Sequence, residues 1–126
     1  MRLRDLPVKA KFDELELKEL LNNFPEAAFL SKELRENYSG KFPPHTRYFS
    51  NGDKPLVAVM VKAGRAVFGC DSGNIELYRN EFVFFDDSVQ HWWSFENCNL
   101  EILYYRLPSV DKREDVHGDY CLDNYF

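Results

Sequence analysis

Between Gly40 and Pro108 the sequence falls into short apolar runs separated by turn-forming residues, and this punctuation restricts the fold more than any other feature. The runs "RAVFGC", "NIELYR", "EFVFF" and "LEILYYRL" are parted by "DSGN", "DDS" and "ENCN". Five or six such strands, with a turn about every ten residues, predict an antiparallel sandwich or barrel, because strands this close in sequence are joined by tight turns. Upstream, "HTRYFSN" and "LVAVMVKAG" flank the turn-forming "GDKP" and read as a hairpin.

The amino-terminal part has a different period. In "DELELKELLNNFP", Leu17, Leu20, Leu21 and Phe24 recur at helical spacing on one face. Asp13 is placed to cap this helix, with Glu16 three residues later as in a capping box, and Asn22, Asn23 and Pro25 end it. A single apolar stripe with a polar back predicts a lid lying on a sheet. The next segment, "EAAFLSKELREN", favours helix by composition and strand by its position before a β-rich block, and both assignments stay open. After Pro108 the polar tail "SVDKREDVHGDYCLDNYF" reads as surface at "DKRED". Its Tyr120, Leu122, Tyr125 and Phe126 are suited to dock on the barrel or on a second subunit. The expected organisation is one domain: a helical or lid segment over 1–39, a β core over 40–108 and a docking tail over 109–126. A chain of 126 residues can bury one substantial core, and it shows no internal repeat.

Charge and composition remove several classes of function. A net charge of −5 and a pI near 5.2 give no attraction to phosphate backbones, so nucleic acid is not expected as a partner, although one arginine can still hold a small anion. The opening "MRLRDL" is charged where a signal peptide is apolar, and no run approaches the ~18 apolar residues of a membrane span. A cytoplasmic protein without a membrane partner is expected. Cys70, Cys98 and Cys121 lack CxxC spacing, which predicts reduced thiols and neither a disulfide framework nor a thiolate zinc site. An aromatic content of 16% suits a lined pocket, an interface or a β-rich core.

The stretch "NEFVFFDDSVQHWWSFEN", Asn80 to Asn97, carries a resemblance. It is similar to the second motif of the cupin superfamily, G-x5-P-x-G-x2-H-x3-N. Asn80 stands at the first glycine, Asp86 at the proline, Ser88 at the second glycine, His91 at the histidine and Phe95 at the asparagine. The first motif, G-x5-H-x-H-x3,4-E-x6-G, is matched from its two ends. Gly64 takes the last glycine, 15 residues before Asn80, which puts Val57 at the acidic ligand position. Gly40 lies at the front, one residue too close to His45, and "HTR" stands for H-x-H, so that Arg47 replaces the second histidine. The resemblance spans Gly40 to Pro108 and implies a mainly β, cupin-like antiparallel barrel or jelly roll with an amino-terminal helix.

It also implies a pocket. Side chains alternate along a strand, so an inward His45 carries Arg47 inward, and an inward His91 carries Trp93 and Phe95. The cupin ligand set is broken here: arginine offers only hydrogen-bond donors and stays charged, and Val57 has nothing to bind with. No metal is favoured, and His45 and His91 are the ligands if a divalent metal is present. His117, Asp53, Glu76 or Glu101 could complete a set only by unusual geometry. The same substitutions suit an anion, through the fork of Arg47, and a proton relay through His91 with His45 assisting. This resembles metal-independent cupins that isomerise, epimerise or dehydrate sugar-like substrates with histidine and tyrosine. Tyr48, Tyr78, Tyr104 and Tyr105 are available; Tyr104 and Tyr105 occupy opposite faces of one strand, so one of that pair looks inward, and Tyr104 is carried as the candidate.

Plainer readings stand beside these. His91 can be a packed histidine bonded to backbone, Arg47 a solvent-facing residue in the opposite register, and His117 a surface residue. Of Trp92 and Trp93, one is expected inside the barrel and the other against the amino-terminal helix or a subunit. Asp86 and Asp87 read as a solvated turn and not as an acid–base dyad. Three functions follow: a metal-independent lyase, isomerase or epimerase on a small polar or anionic substrate; a non-catalytic metabolite sensor; and a metal-dependent cupin enzyme such as a dioxygenase. A homodimer is expected for each.

Overall fold

In the computed structural model, residues 1–110 and 116–126 are described; the "DKRED" run at 111–115 lies outside them. The chain runs β1 (Val8–Lys11), α1 (Glu14–Asn22), β2 (Ala28–His45), β3 (Arg47–Tyr48), β4 (Lys54–Cys70), β5 (Gly73–Leu77), β6 (Glu81–Asp86), β7 (His91–Leu107) and β8 (Tyr120–Cys121). It is mainly β and antiparallel with one amino-terminal helix, as the resemblance implied. Six strands form one sheet in the order β1-β6-β4-β7-β2, and β5 pairs with β4 off this path.

Three long strands organise the sheet. The runs "LVAVMVKAG" and "RAVFGC", read as separate elements, are one strand, β4, and "LEILYYRL" is the second half of β7, which starts at His91 and passes through the expected break "ENCN". Their polar interruptions mark bends within strands. Asn37 (φ 51°), Gly64 (φ 85°) and Asn97 (φ 47°) adopt the left-handed conformation on neighbouring strands, where the β2–β7 and β4–β7 registers shift. A Cβ on Gly64 would lie 2.4 Å from the carbonyl oxygen of Asn97, so glycine is required by both conformation and space. The sheet folds along this line and wraps an aromatic interior.

"EAAFLSKELREN" becomes the first half of β2. Its pairing from Ala28↔Arg106 to Arg35↔Leu100, broken only by a register shift between Phe29 and Ser31, with Lys32 bridging Glu101 at 2.8 Å, outweighs its helix propensity, because the backbone gains ladder partners on β7. β2 runs through position 40, where a boundary between segments was expected. The expected hairpin between "HTRYFSN" and β4 does not form. β3 instead pairs in parallel with β8 of the tail, Arg47↔Tyr120 and Tyr48↔Cys121. Asp119 accepts from the Thr46 amide at 2.8 Å and Asp123 accepts from the Ser50 amide at 3.0 Å.

Helix α1 forms where the period predicted it, capped by Asp13, whose side chain accepts from the Leu15 amide. Leu17, Leu20 and Phe24 pack on Leu56, Ala58, Met60, Phe82, Phe84 and Tyr105. Burying each large apolar side chain there contributes about 1.5–3 kcal/mol. The alternate residues Val57, Val59, Val61, Val83 and Phe85 turn the other way and meet Phe68, Trp93, Phe95, Leu100 and Tyr104. β4 and β6 are therefore covered on both faces, which is why "LVAVMV" and "FVFF" are unbroken apolar runs.

Candidate functional site

Six side chains singled out from the sequence, His45, Arg47, His91, Trp93, Phe95 and Tyr104, line one cavity of about 90 Å³ inside the bent sheet. Strand alternation accounts for the grouping. His91, Trp93 and Phe95 are successive inward residues of β7, and His45, at the end of β2, pairs directly with His91. The two imidazole centroids are 4.5 Å apart. Val57, at the acidic ligand position of the family motif, also lines the cavity. Tyr104 faces inward and Tyr105 faces α1, which resolves the pair left open by the sequence. Tyr48 lies in the β3–β8 ribbon and Tyr78 is exposed, donating to Glu76 at 2.7 Å.

The residue that completes the site is Asp87, which the sequence suggested was solvated. It is 3% exposed and Asp86 is 7% exposed. Their burial has separate causes. The Asp86 carboxylate closes the turn by accepting from the Ser88 amide at 2.9 Å and hydroxyl at 2.6 Å. The Asp87 carbonyl accepts from the Arg47 amide at 3.0 Å, which draws β3 against the turn, while its carboxylate enters the cavity. Asp87 Oδ1 is 3.0 Å from His91 Nε2. Asp87 Oδ2 is buried and has no hydrogen-bond partner among the described residues, and Arg47 Nε stands 3.9 Å from it.

The hydrogen bonds constrain the protons. His91 Nδ1 lies 2.6 Å from the Val89 carbonyl oxygen, an acceptor only, so this nitrogen carries a proton and donates. His91 Nε2 faces a carboxylate, and a second proton or a cation must lie between them, since two acceptors alone would repel. At 2% exposure, His91 has no nitrogen left for a ligand while this pair is intact. His45 differs. Its Nδ1 donates to the Pro43 carbonyl at 2.9 Å, leaving Nε2 with a lone pair toward the cluster.

Ligand atoms of His45, Asp87 and His91 all lie within 4.8 Å of one another. Two imidazoles and a carboxylate fit a divalent cation in kind and number, and Nδ1 tethers to backbone carbonyls are the outer bonds that orient such ligands. Arg47 adds a fixed positive charge beside the same carboxylate, which weakens that fit. The other acids considered from the sequence lie elsewhere: Asp53 pairs with Arg106 at 2.8 Å, Glu76 with Arg65 at 2.5 Å and Glu101 with Lys32 and Lys62. His117 is exposed.

A second polar group lines the cavity. Tyr104 donates its hydroxyl proton to Glu33 Oε2 at 2.8 Å, and Arg35 Nε donates to Glu33 Oε1 at 2.8 Å. Burial, followed by the Glu33 carboxylate, pushes the Tyr104 hydroxyl well above its usual pKa. Glu33 and Arg35 escaped the sequence reading because their segment had no assigned period. Their i, i+2 spacing, like that of His45 and Arg47, was the available signal. The tail borders the cavity, with Tyr120 5.9 Å from His45 and Phe126 5.3 Å from Tyr104. Trp92 lies outside, against neither α1 nor the interior; its indole covers Gly69, where a Cβ would come within 1.8 Å.

No family model matches the sequence, and no curated protein matches it. Solved structures similar to it include a cupin-2 domain containing protein from Shewanella frigidimarina, 18% identical, with a TM-score of 0.46 over 73% of this chain and 91% of that one. A DUF861 family protein from Thermotoga maritima is 13% identical, with a TM-score of 0.44 over 82% of this chain and 100% of that one. The dTDP-4-dehydrorhamnose 3,5-epimerase from Elizabethkingia anophelis is 12% identical, with a TM-score of 0.47 over 83% and 68%. These values concern the course of the chain and not its chemistry. Among the described residues no helix is long and apolar enough to cross a membrane.

Proposed function

We propose that this chain, cupin-like in fold, is a lyase or isomerase that moves a proton on a small anionic substrate. The observation that carries the reading is the buried Asp87 Oδ2, which makes no hydrogen bond among the described residues and stands beside the Arg47 guanidinium. Arg47 pairs with the carboxylate or phosphate of the substrate, a role suited to its planar fork. Asp87 Oδ2 takes a proton from the carbon next to the activated group, and His45 Nε2 is the second site at which a proton is held. His91 keeps its two bonds, holding Asp87 in place and balancing its charge. This alters the division expected from the sequence, in which His91 itself exchanged the proton. Return of the proton gives an isomerase and loss of a neighbouring group gives a lyase.

The test is solvent exchange. Protein stripped of metal by chelation and incubated in D2O with small hydroxy and keto acids is expected to place deuterium beside the carboxylate or ketone of an acid that it binds. Asp87→Asn should retain binding and slow the exchange by about 100-fold or more. Absence of exchange, isomerisation or elimination with every acid that binds would remove the catalytic reading and leave a sensor.

A second reading rests on the convergence of His45, Asp87 and His91 within 4.8 Å. These residues would hold a divalent metal, which when bound supplies a Lewis acid that polarises a substrate oxygen. Metal analysis of untagged protein decides it: close to one metal per chain supports this reading, and a value far below one eliminates it.

A further inference from the structure

We propose that Glu33, Arg35 and Tyr104 form a hydroxyl-recognition end of the cavity, which makes the ligand a small hydroxy acid. The inference rests on the anion role given to Arg47 above and adds the class of ligand. Tyr104 has one hydroxyl proton and donates it to Glu33 Oε2 at 2.8 Å. Glu33 Oε1 is occupied by Arg35 through Nε at 2.8 Å and through Nη2. Arg35 is fixed from its other face, with its guanidinium carbon 4.8 Å from the Tyr38 ring centroid. With its proton committed, the phenol oxygen can only accept a hydrogen bond from a ligand in the cavity. Burial favours the neutral phenol, so Tyr104 stays in this state over the whole working range of pH.

This end of the cavity therefore asks for a donor. Arg35 and Arg47 both line the cavity, and two guanidinium groups disfavour an ammonium, leaving a hydroxyl as the matching group. The confined volume of about 90 Å³ limits the ligand to a few heavy atoms beyond its carboxylate.

Calorimetric titration of the full chain with acetate, glycolate and methoxyacetate isolates the donor. All three are monoanions at neutral pH, only glycolate carries a hydroxyl, and methoxyacetate keeps the oxygen without its proton. Glycolate should bind about tenfold more tightly than acetate, one well-made hydrogen bond, and methoxyacetate no more tightly than acetate. In Tyr104→Phe the ratio of glycolate to acetate affinity should fall below about threefold. The inference is overturned if methoxyacetate matches glycolate, if wild-type protein does not distinguish glycolate from acetate, or if a folded Tyr104→Phe retains the full preference. Where Tyr104→Phe does not fold, the three-ligand comparison on wild-type protein decides alone. Arg47→Ala separates the two readings. If the anions bind equally and Arg47→Ala abolishes their binding, only the hydroxyl end fails; if no anion binds wild-type protein, the anion role of Arg47 fails and this inference falls with it.

Discussion

The two faces of β4 and β6 are built from alternate residues of the same runs, yet they differ in kind. Toward α1, the buried cluster of Leu56, Ala58, Met60, Phe82 and Phe84 is apolar but for the Tyr105 hydroxyl, and it meets Leu17, Leu20 and Phe24. Toward the interior, Val57, Val59 and Phe85 are equally buried but share their space with Asp87, His91, Arg47, Glu33 and Tyr104. Packing alone explains the first face. It does not explain the second, since taking an ionised group out of water costs several kcal/mol and an ion pair often no more than recovers it. Groups kept under that cost, with Asp87 Oδ2 making no hydrogen bond among the described residues, set the interior apart from the α1 face.

The largest effect is expected on the apolar face. Phe84 is fully buried and packs on Phe24 with ring centroids 6.0 Å apart. Phe84→Ala should cost about 3–5 kcal/mol in denaturant unfolding, a large part of the stability of a domain this size. Anion binding by the fraction that remains folded should be unchanged. A loss below about 1 kcal/mol would mean that the α1 face does not hold the fold.

On the interior face the expected pattern is the reverse. His91→Leu strands the Asp87 carboxylate in an apolar surround and should cost about 3 kcal/mol. The double variant His91→Leu/Asp87→Leu should return to within about 1 kcal/mol of wild type, or exceed it, while losing the proton exchange proposed for Asp87. A double variant as unstable as the single one would show that the pair is structural and would remove the contrast between the faces.

The smallest effect concerns the tail, which touches the cavity rim and not the α1 face. The Ser50 hydroxyl, with the Ser50 amide, holds the Asp123 carboxyl below its ordinary pKa. A depressed folded-state pKa contributes stability above the unfolded value and loses it as pH falls through the folded value. Acidification through and below the ordinary carboxylate range should therefore lower the protection factor of the Leu122 amide, whose N–H donates to the Tyr48 carbonyl at 2.8 Å. Asp123→Asn should show the lower protection already at neutral pH, with the amides of α1 unaffected. Unchanged protection of Leu122 in that variant would count against the tether.

Much of the site was legible because strand alternation is a local rule. Once His91 faced inward, Trp93 and Phe95 had to follow, and they do; Arg47 lines the same cavity from β3, after β2 has ended at His45. Asp87 was not legible, because a charged pair in a turn is ordinarily solvated; here β3 is drawn over the turn by the bond from the Arg47 amide to the Asp87 carbonyl. Glu33 and Arg35 were hidden by helix-favouring neighbours, and only pairing with β7 revealed which of them turn inward. The false hairpin after His45 has a similar cause. The partner of β3 is β8, 73 residues away by the Arg47↔Tyr120 pairing, and no local turn signal reports it.

From the residues alone came the period of α1 with its cap, the apolar runs of β4 and β6, and the motif position of His91, while the segment that became the first half of β2 stayed open. These follow from backbone geometry and side-chain alternation, which act within a few residues. That Asp87 joins the cavity cluster, that both nitrogens of His91 are taken, and that the Tyr104 hydroxyl is committed to Glu33 emerge with the folded chain. Those properties depend on which groups are withdrawn from water together, and desolvation is set by neighbours far apart in the chain.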